Sequence, residues 1–313
     1  MRKEISFTLL PLLLVLFGCG ECPAPLPPPT VALAPGDFSA ERAYDELVQL
    51  LDLGLRDSGT PGAKAAAEHI RQRLEEQGVD AEIDAFEDRC PKGDIIFRNV
   101  IGRIPGRGEG IIVLGSHYDT KAGMGEGFEG ANDSGSSTAV LIELGRLLAE
   151  GPRLGPDVIL AFFDGEECME RYGPADGLHG SKRMVRQLQE EGMVDDVQAM
   201  ILLDMIGDRD LTVTIPRNVD PELVRRAFKA ATEEGVRTRF SLYPFSVGDD
   251  HVPFLEAGIP AINLIDFHFG SAPGRNDYWH TPEDTLDKIS PESMGVVGRV
   301  TVRMINDLVS GSR

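Results

Sequence analysis

The chain has few basic residues for its acidic content. Its 313 residues include 31 lysines and arginines against 51 aspartates and glutamates, which gives a formal net charge of −20. A surface of this sign repels phosphate backbones, so the composition argues against nucleic-acid binding. The excess of carboxylates favours solubility and neutral or basic peptide ligands, but it does not identify them.

Cysteine is also scarce, and the four cysteines are Cys19, Cys22, Cys90 and Cys168. Only Cys19 and Cys22 have Cys-x-x-Cys spacing, and they lie at a predicted export junction, which argues against a zinc-finger type of site. An exported chain permits a disulfide, but the sequence leaves the pairing open. Cys168 directly follows Glu167. It could be a metal ligand or a redox switch, although we favour a small packed side chain.

A long apolar run occurs only at the N-terminus. Residues 5–17 are largely apolar and follow two basic residues, but the run is too short to span a bilayer comfortably. Leu16-Phe17-Gly18-Cys19 resembles a bacterial lipoprotein signal with Cys19 as the lipidated residue, and simple secretion is the alternative. We therefore expect residues 1–19 to direct export to the periplasm or cell surface, with membrane contact only through this lipid.

The rest of the chain indicates a spacer and one folded domain. Residues 20–37 are rich in proline and predict an extended linker, and residues 38–313 contain no internal repeat or second linker. Strands alternate with helices in this part, which is typical of a three-layer α/β sandwich. Helices are predicted over 39–53, 61–77, 135–150, 178–191, 221–234 and 290–308, and strands over 81–86, 95–104, 110–116, 158–163, 199–206 and 261–265.

The most informative stretch is residues 157–167. Residues 158–163 form a continuous apolar run, typical of a strand buried on both faces, and lead directly into Asp164, Gly165, Glu166 and Glu167. The other Glu-Glu pairs lie in polar, helix-like stretches and are interpreted as solvated faces. Carboxylates at the carboxyl end of a central strand lie where open α/β sheets place their chemistry. One glutamate could bind a cation while its neighbour moves a proton.

Further histidines and acids follow the other predicted strands and loops. Each has an ordinary structural interpretation: Asp133 could cap the helix that follows it, Asp204 could be a hydrogen-bonded strand end, and His117 could be a buried core histidine. Together they form a ligand set typical of zinc and harder metal ions. The set is His117, Asp133, Glu166, Glu167, Asp204 and His280.

These residues lie in motifs that resemble the zinc exopeptidases of the aminopeptidase and glutaminyl cyclase family. The resemblance covers about residues 43–308 and implies an α/β fold with a mixed central β-sheet flanked by helices, as in the zinc aminopeptidases. The motifs are His117-Tyr-Asp, Gly130-Ala-Asn-Asp133, Phe163-Asp-Gly-Glu166-Glu167, Leu203-Asp204, Asp250-His251-x-Pro-Phe254 and His280-Thr-Pro-Glu-Asp-Thr.

Within that family the chain is most similar to the glutaminyl-peptide cyclotransferases, which convert N-terminal glutamine to pyroglutamate and release ammonia. An insertion at residues 168–177 precedes Leu178-His-Gly-Ser181, as in the cyclases, and Trp279 precedes His280. Two positions depart from the pattern: Asn263 stands where many cyclases carry a histidine, and Tyr172 where the animal enzymes usually carry tryptophan. These departures bear on substrate fit more than on the metal site.

The resemblance also implies a role for each site residue. Asp133, Glu167 and His280 would bind one zinc ion, and Glu166 would transfer protons. Asp249 and Asp204 would orient the amine and the leaving group. The pocket walls would be Trp279, Phe269 and Tyr172, the substrates peptide or protein N-termini, and the enzyme a monomer.

Two alternatives stay open. In a two-zinc aminopeptidase, His117 and Asp204 would bind a second ion, Asp133 would bridge the two ions, and Glu166 would activate water for hydrolysis of the N-terminal peptide bond. In a non-catalytic binding ectodomain, the same fold would serve only as a scaffold. The complete ligand set disfavours the second alternative.

Overall fold

Residues 32–311 are described by a computed structural model of the chain. The helices are α1 (Ala40–Leu51), α2 (Pro61–Glu76), α3 (Ser137–Glu150), α4 (His179–Glu190), α5 (Pro221–Glu233), α6 (His251–Glu256) and α7 (Pro291–Val309). The strands are β1 (Asp80–Cys90), β2 (Gly93–Ile104), β3 (Ile111–His117), β4 (Asp157–Phe163), β5 (Val197–Asp204), β6 (Val213–Ile215), β7 (Phe240–Leu242) and β8 (Ala261–Ile265).

The predicted export signal, residues 1–19 with Cys19, lies outside the described residues, as does Cys22. Export and lipidation therefore stay predictions. Among residues 32–311, no helix is both long and apolar enough to cross a membrane.

A six-stranded sheet with the order β1-β2-β4-β3-β5-β8 organises the fold. The pairs β1/β2 and β2/β4 are antiparallel, whereas β4, β3, β5 and β8 run parallel to one another. The prediction of a mixed central sheet flanked by helices is confirmed. A separate parallel pair, β6 and β7, forms a small second sheet.

Both faces of the sheet are buried at its four parallel strands, β4, β3, β5 and β8, because side chains of successive strand residues alternate between two hydrophobic cores. In β4, Val158, Leu160 and Phe162 face the larger core, which also contains side chains of α1, α2, α3, α5 and α7. Ile159 and Phe163 face the smaller core, with side chains of α4 and α6. This two-sided burial explains the unbroken apolar run in the sequence.

Element boundaries follow local chemistry. The predicted N-cap of α2 is confirmed, since the Thr60 side chain accepts a hydrogen bond from the backbone N–H of Ala63 and Pro61 begins the helix. Strand β5 ends at Asp204, two residues earlier than predicted, because Met205 turns the backbone to a φ of 48°. The packed chain also extends N-terminally of Phe38, because buried Leu33 exchanges two hydrogen bonds with the Asn306 side chain.

Candidate active site

Four parallel strands end at the same edge of the sheet and bring the predicted polar side chains together. His117 and Asp204 are the last residues of β3 and β5, and Glu166 and Glu167 follow β4. The Asp119 carboxylate fixes the turn after β4, since it accepts hydrogen bonds from the backbone N–H groups of Glu166 and Glu167, both at 3.2 Å. The two glutamates are thereby held beside the end of β3.

Asp133 reaches this edge on an irregular helical turn, Ala131–Ser136, which precedes α3. The Asp284 carboxylate accepts hydrogen bonds from the backbone N–H groups of Asn132 (2.7 Å) and Asp133 (3.1 Å). Since Asp284 lies four residues after His280, this contact joins the segments that carry two of the candidate ligands.

The other side of this turn is held by Arg56, a fully buried side chain. Its guanidinium donates to the backbone oxygens of Tyr118 (2.8 Å), Glu129 (3.2 Å) and Gly130 (2.8 Å). Burial lowers the pKa of Arg56 to about 10, against the opposing effect of nearby carboxylates such as Asp284. Arg56 therefore remains a cation at neutral pH and ties the end of β3 to the turn that carries Asp133.

Three of the candidate ligands converge on one point. Nε2 of His280 lies 2.8 Å from Oε1 of Glu167 and 3.1 Å from Oδ2 of Asp133. Within the described residues, that Asp133 oxygen is buried and makes no hydrogen bond. Ligand atoms of the three residues lie within 4.8 Å of one another, so they could hold a metal ion.

A second group of candidate ligands shares Asp133. Nε2 of His117 lies 3.2 Å from Oδ1 of Asp133 and 3.4 Å from Oδ1 of Asp204, and this group could also hold an ion. Here, however, Ser134 Oγ donates to the same Asp204 oxygen at 2.9 Å. A hydroxyl that is not a candidate ligand thus already donates to Oδ1 of Asp204, whereas Oδ2 of Asp133 is approached by His280, which is itself a candidate ligand.

The charge of the site fits a cation. Five buried carboxylates line the open side of the site, and the nearby cationic groups are His117, His280 and Lys121. Burial alone would lower the pKa of His280, but Asp133 and Glu167 outweigh it and raise the pKa to about 10. Burying so many like charges is costly unless a positive ion compensates them. The carboxylates are Asp133, Glu166, Glu167, Asp204 and Asp249.

Glu166 differs from its neighbour in its surroundings. Both of its carboxylate oxygens lie within hydrogen-bonding distance of the Tyr172 hydroxyl, at 3.0 and 3.2 Å. Burial raises the pKa of Glu166 well above 4.5, and the charges of Asp249 and Glu167 add to that increase. A carboxylate that readily holds a proton and belongs to neither ligand group is suited to general acid–base chemistry.

Asp249 lies beside this acid. Its Oδ2 accepts a hydrogen bond from Asn263 Nδ2 at 2.6 Å, which fixes the carboxylate on the floor of the site. Burial, with the charge of Asp204, raises the pKa of Asp249 well above 3.8. Asp249, Asp204 and Glu166 line the same cavity, and the role of Asp249 and Asp204 in orienting a substrate stays a prediction.

A cavity of about 380 Å³ opens over these carboxylates. Its aromatic walls include Trp279, whose ring stacks on His280 with the centroids 4.2 Å apart, and Tyr172 from the inserted loop. Phe269 does not contribute to the wall as expected, because it is fully buried against Tyr278. Phe267 lines the cavity instead. Phe267 lies in the turn that follows β8, where the Asp266 carboxylate accepts a hydrogen bond from the backbone N–H of His268.

Several contributors to the site have no signal in the sequence pattern. Arg56 lies in an unremarkable polar stretch, and Lys121, whose Nζ is 3.4 Å from Glu167 Oε2, lies in a glycine-rich loop. Tyr243 and Phe245 line the cavity from the segment after the three-residue strand β7. Asp284 lies in a motif that the sequence analysis singled out, but only the fold shows which backbone groups it binds.

Cys168 is a packed side chain, the interpretation that the sequence analysis favoured. Cys90 and Cys168 are buried, and neither forms a disulfide in the described part of the chain. Sγ of Cys168 lies 3.1 Å from Lys121 Nζ and belongs to neither ligand group. Cys168 thus packs beside the site.

Comparison with known proteins agrees with this geometry. The sequence profile of peptidase family M28 matches residues 99–305. A glutaminyl-peptide cyclotransferase of Drosophila melanogaster is 28% identical over an alignment 326 positions long, which covers 91% of this chain and 90% of the relative.

Solved structures give the same result for the fold. A glutaminyl cyclase from an Acidobacteriales bacterium superposes with a TM-score of 0.81 at 34% identity, covering 93% of this chain and 99% of that one. A leucine aminopeptidase precursor from Bacteroides thetaiotaomicron shares the fold with a TM-score of 0.78 at 23% identity, covering 88% and 99% of the two chains. With the M28 profile spanning most of the folded part, the chain belongs to peptidase family M28.

Proposed function

We propose that the protein is a zinc-dependent glutaminyl-peptide cyclotransferase that acts on N-terminal glutamine of peptides or proteins. The observation that carries the proposal is the division between adjacent glutamates. Glu167 lies in the ligand group with Asp133 and His280, whereas the Glu166 carboxylate, among residues 32–311, is hydrogen-bonded only by the Tyr172 hydroxyl. The similarity to glutaminyl cyclases from two other organisms supports the same conclusion.

The reaction needs little more than orientation and proton transfer. A zinc ion held by Asp133, Glu167 and His280 would act as a Lewis acid on the γ-carboxamide of the substrate. The α-amine attacks the γ-carbonyl carbon, a C–N bond forms, and the bond to the departing ammonia breaks. Glu166 takes a proton from the amine and delivers it to the leaving nitrogen.

The remaining residues hold the substrate in a reactive geometry, which is a large part of catalysis for an intramolecular attack. Asp249 and Asp204 lie beside Glu166 and accept hydrogen bonds from the amine and the leaving group. Trp279 and Tyr172 bound the cavity, whose volume of about 380 Å³ suits a glutamine residue and the start of the next residue.

A two-zinc aminopeptidase is the second candidate, because His117, Asp133 and Asp204 also form a group that could hold an ion. The hydrogen bond from Ser134 to Asp204 favours one ion over two, since it directs a proton donor at an oxygen that the second ion would need. A chain that bound no zinc would instead support a non-catalytic ectodomain.

A paired assay tests the proposal. The domain from residue 32 onward is incubated with Gln-Ala and Leu-Ala peptides, and zinc is counted in the same sample. We expect ammonia from the glutamine peptide, no free amino acid from either peptide, and about one zinc per chain, bound by Asp133, Glu167 and His280. Free leucine with about two zincs would overturn the proposal in favour of the aminopeptidase.

A further inference from the structure

The loop between β4 and α4, residues 168–177, is fixed from within by one carboxylate. Asp176, which is 5% exposed, accepts hydrogen bonds from the backbone N–H groups of Met169 (2.6 Å), Glu170 (2.9 Å) and Arg171 (2.8 Å). Charge-assisted bonds of this kind are stronger than bonds between neutral groups. The first half of the loop is therefore wrapped around a single side chain.

Two lysines fix the loop from outside. Lys182 donates to the backbone oxygens of Gly173 (3.1 Å) and Gly177 (2.8 Å), and Lys121 donates to the backbone oxygen of Cys168 (2.5 Å). The start, middle and end of the loop are thus each bound to a charged side chain. We refer to residues 168–177, held in this way, as the platform.

Tyr172 is the residue that this platform presents to the site. Its ring packs directly on Gly177, where an added Cβ would lie 2.6 Å from a ring carbon and where φ is 82°. Lys121 Nζ lies 5.8 Å from the ring centroid, within cation–π range. The ring is held on two sides, and its hydroxyl lies 3.0 Å from Oε2 of Glu166.

We propose that this platform holds the Tyr172 hydroxyl beside Glu166 and that the hydroxyl there binds the α-amine of the substrate. Asp176 positions Tyr172 by holding the platform in this conformation. The inference rests on the proposed cyclase function and adds one catalytic residue to it. A phenol has one proton and two lone pairs. When Tyr172 donates its proton to Glu166, its oxygen remains free to accept a hydrogen bond from the amine. The amine is then held between Tyr172 and the carboxylate that takes its proton.

The first test is Tyr172→Phe, which removes only the hydroxyl. We expect zinc content and thermal midpoint to stay close to wild type while kcat on a Gln-Ala peptide falls about ten- to a hundredfold, the effect of losing a hydrogen bond to a charged group. Tyr44→Phe is the matched control, because Tyr44 lies on α1 and packs against the core. Wild-type kcat in Tyr172→Phe would overturn the inference.

The second test asks whether Asp176 acts through Tyr172. Asp176→Ala should lower kcat in the wild-type background and have no further effect on kcat in the Tyr172→Phe background. Equal losses of kcat in both backgrounds would mean that Asp176 acts independently of Tyr172, and an unchanged kcat in both would mean that it only stabilises the fold; either result would overturn its positioning role. Asp176→Asn, which keeps one acceptor oxygen, should give an intermediate kcat and replaces the alanine variant if that variant does not fold.

Asp220→Ala controls for general loss of stability, since Asp220 also accepts backbone N–H groups but at the start of α5. This variant should have a lower thermal midpoint and an unchanged kcat.

The wild-type reaction separates failure of the proposed cyclase function from failure of the inference about Tyr172. If wild-type protein releases no ammonia from Gln-Ala, the cyclase function and this inference both fail. If it does so and Tyr172→Phe is equally active, only the inference fails.

Discussion

The carboxylate of Asp284 accepts a hydrogen bond from the backbone N–H of Asp133 across 151 residues of sequence. It accepts a second from Asn132, and it lies on the same loop as His280. One buried acid therefore sets the relative position of two candidate ligands. Outer groups of this kind commonly contribute to metal affinity without touching the ion.

Replacing Asp284 should weaken zinc binding. In Asp284→Ala, the N–H groups of Asn132 and Asp133 lose their buried acceptor, so we expect zinc affinity to fall about 10- to 100-fold. Competition with a chromogenic chelator measures this change. Asp284→Asn keeps one acceptor oxygen, so its zinc affinity should lie between those of wild type and Asp284→Ala. Unchanged affinity in both variants would show that the Asp133 turn holds its position without this contact.

Glu166→Gln should separate metal binding from catalysis. Because Glu166 lies outside both ligand groups, we expect wild-type zinc content. The amide cannot accept the proton of the amine, so turnover should fall by about 10²- to 10⁴-fold. Steady-state ammonia release with zinc measured in the same sample tests both statements, and full activity would refute the role of Glu166.

Arg56→Met should destabilise the fold strongly. The substitution leaves the backbone oxygens of Tyr118, Glu129 and Gly130 without their buried donor, at an expected cost of at least about 3 kcal/mol in the free energy of unfolding. Urea denaturation measures the loss. Arg71→Met is the matched control, since the ion pairs of Arg71 with Glu68 and Glu75 are exposed and their loss should change the free energy of unfolding little.

Stability should depend on pH through His251. Burial lowers the pKa of His251 from 6.5 to about 4. Between these values the unfolded chain binds a proton that the folded chain does not, so folding is weakened as pH falls below 6.5. From pH 7 to pH 5 the loss in the free energy of unfolding from this residue is about 2 kcal/mol.

Urea denaturation at pH 7 and pH 5 measures this loss for wild type and His251→Gln. The glutamine is neutral throughout and can still donate to the backbone oxygen of Asn218, the partner of His251 Nε2 at 3.1 Å. Between pH 7 and pH 5, the free energy of unfolding of the variant should therefore fall by about 2 kcal/mol less than that of wild type. Equal sensitivity in the two proteins would refute the assignment to His251.

Much of the fold follows from local patterns. The apolar run of β4 and the capped helix α2 are visible because burial and capping repeat at fixed short spacings. The small sheet of β6 and β7 and the six-residue α6 are not visible, because such short elements have too few residues to show a period. They form only because tertiary packing holds them: β6 and β7 pack into the larger core, and α6 packs into the smaller one.

The sequence by itself determined the order of the elements, the chemical types at the strand ends and the pairing of two glutamates after a buried strand. These features are local, since a strand and the residues after it are contiguous in the chain. Tertiary structure decided which glutamate faces His280 and which faces Tyr172, and that Phe267 lines the cavity in place of Phe269. Tertiary structure also decided the roles of Arg56 and Asp284. A buried charged side chain can form hydrogen bonds with any backbone group that the fold places within reach, so the spacing of residues in the sequence does not predict its partners.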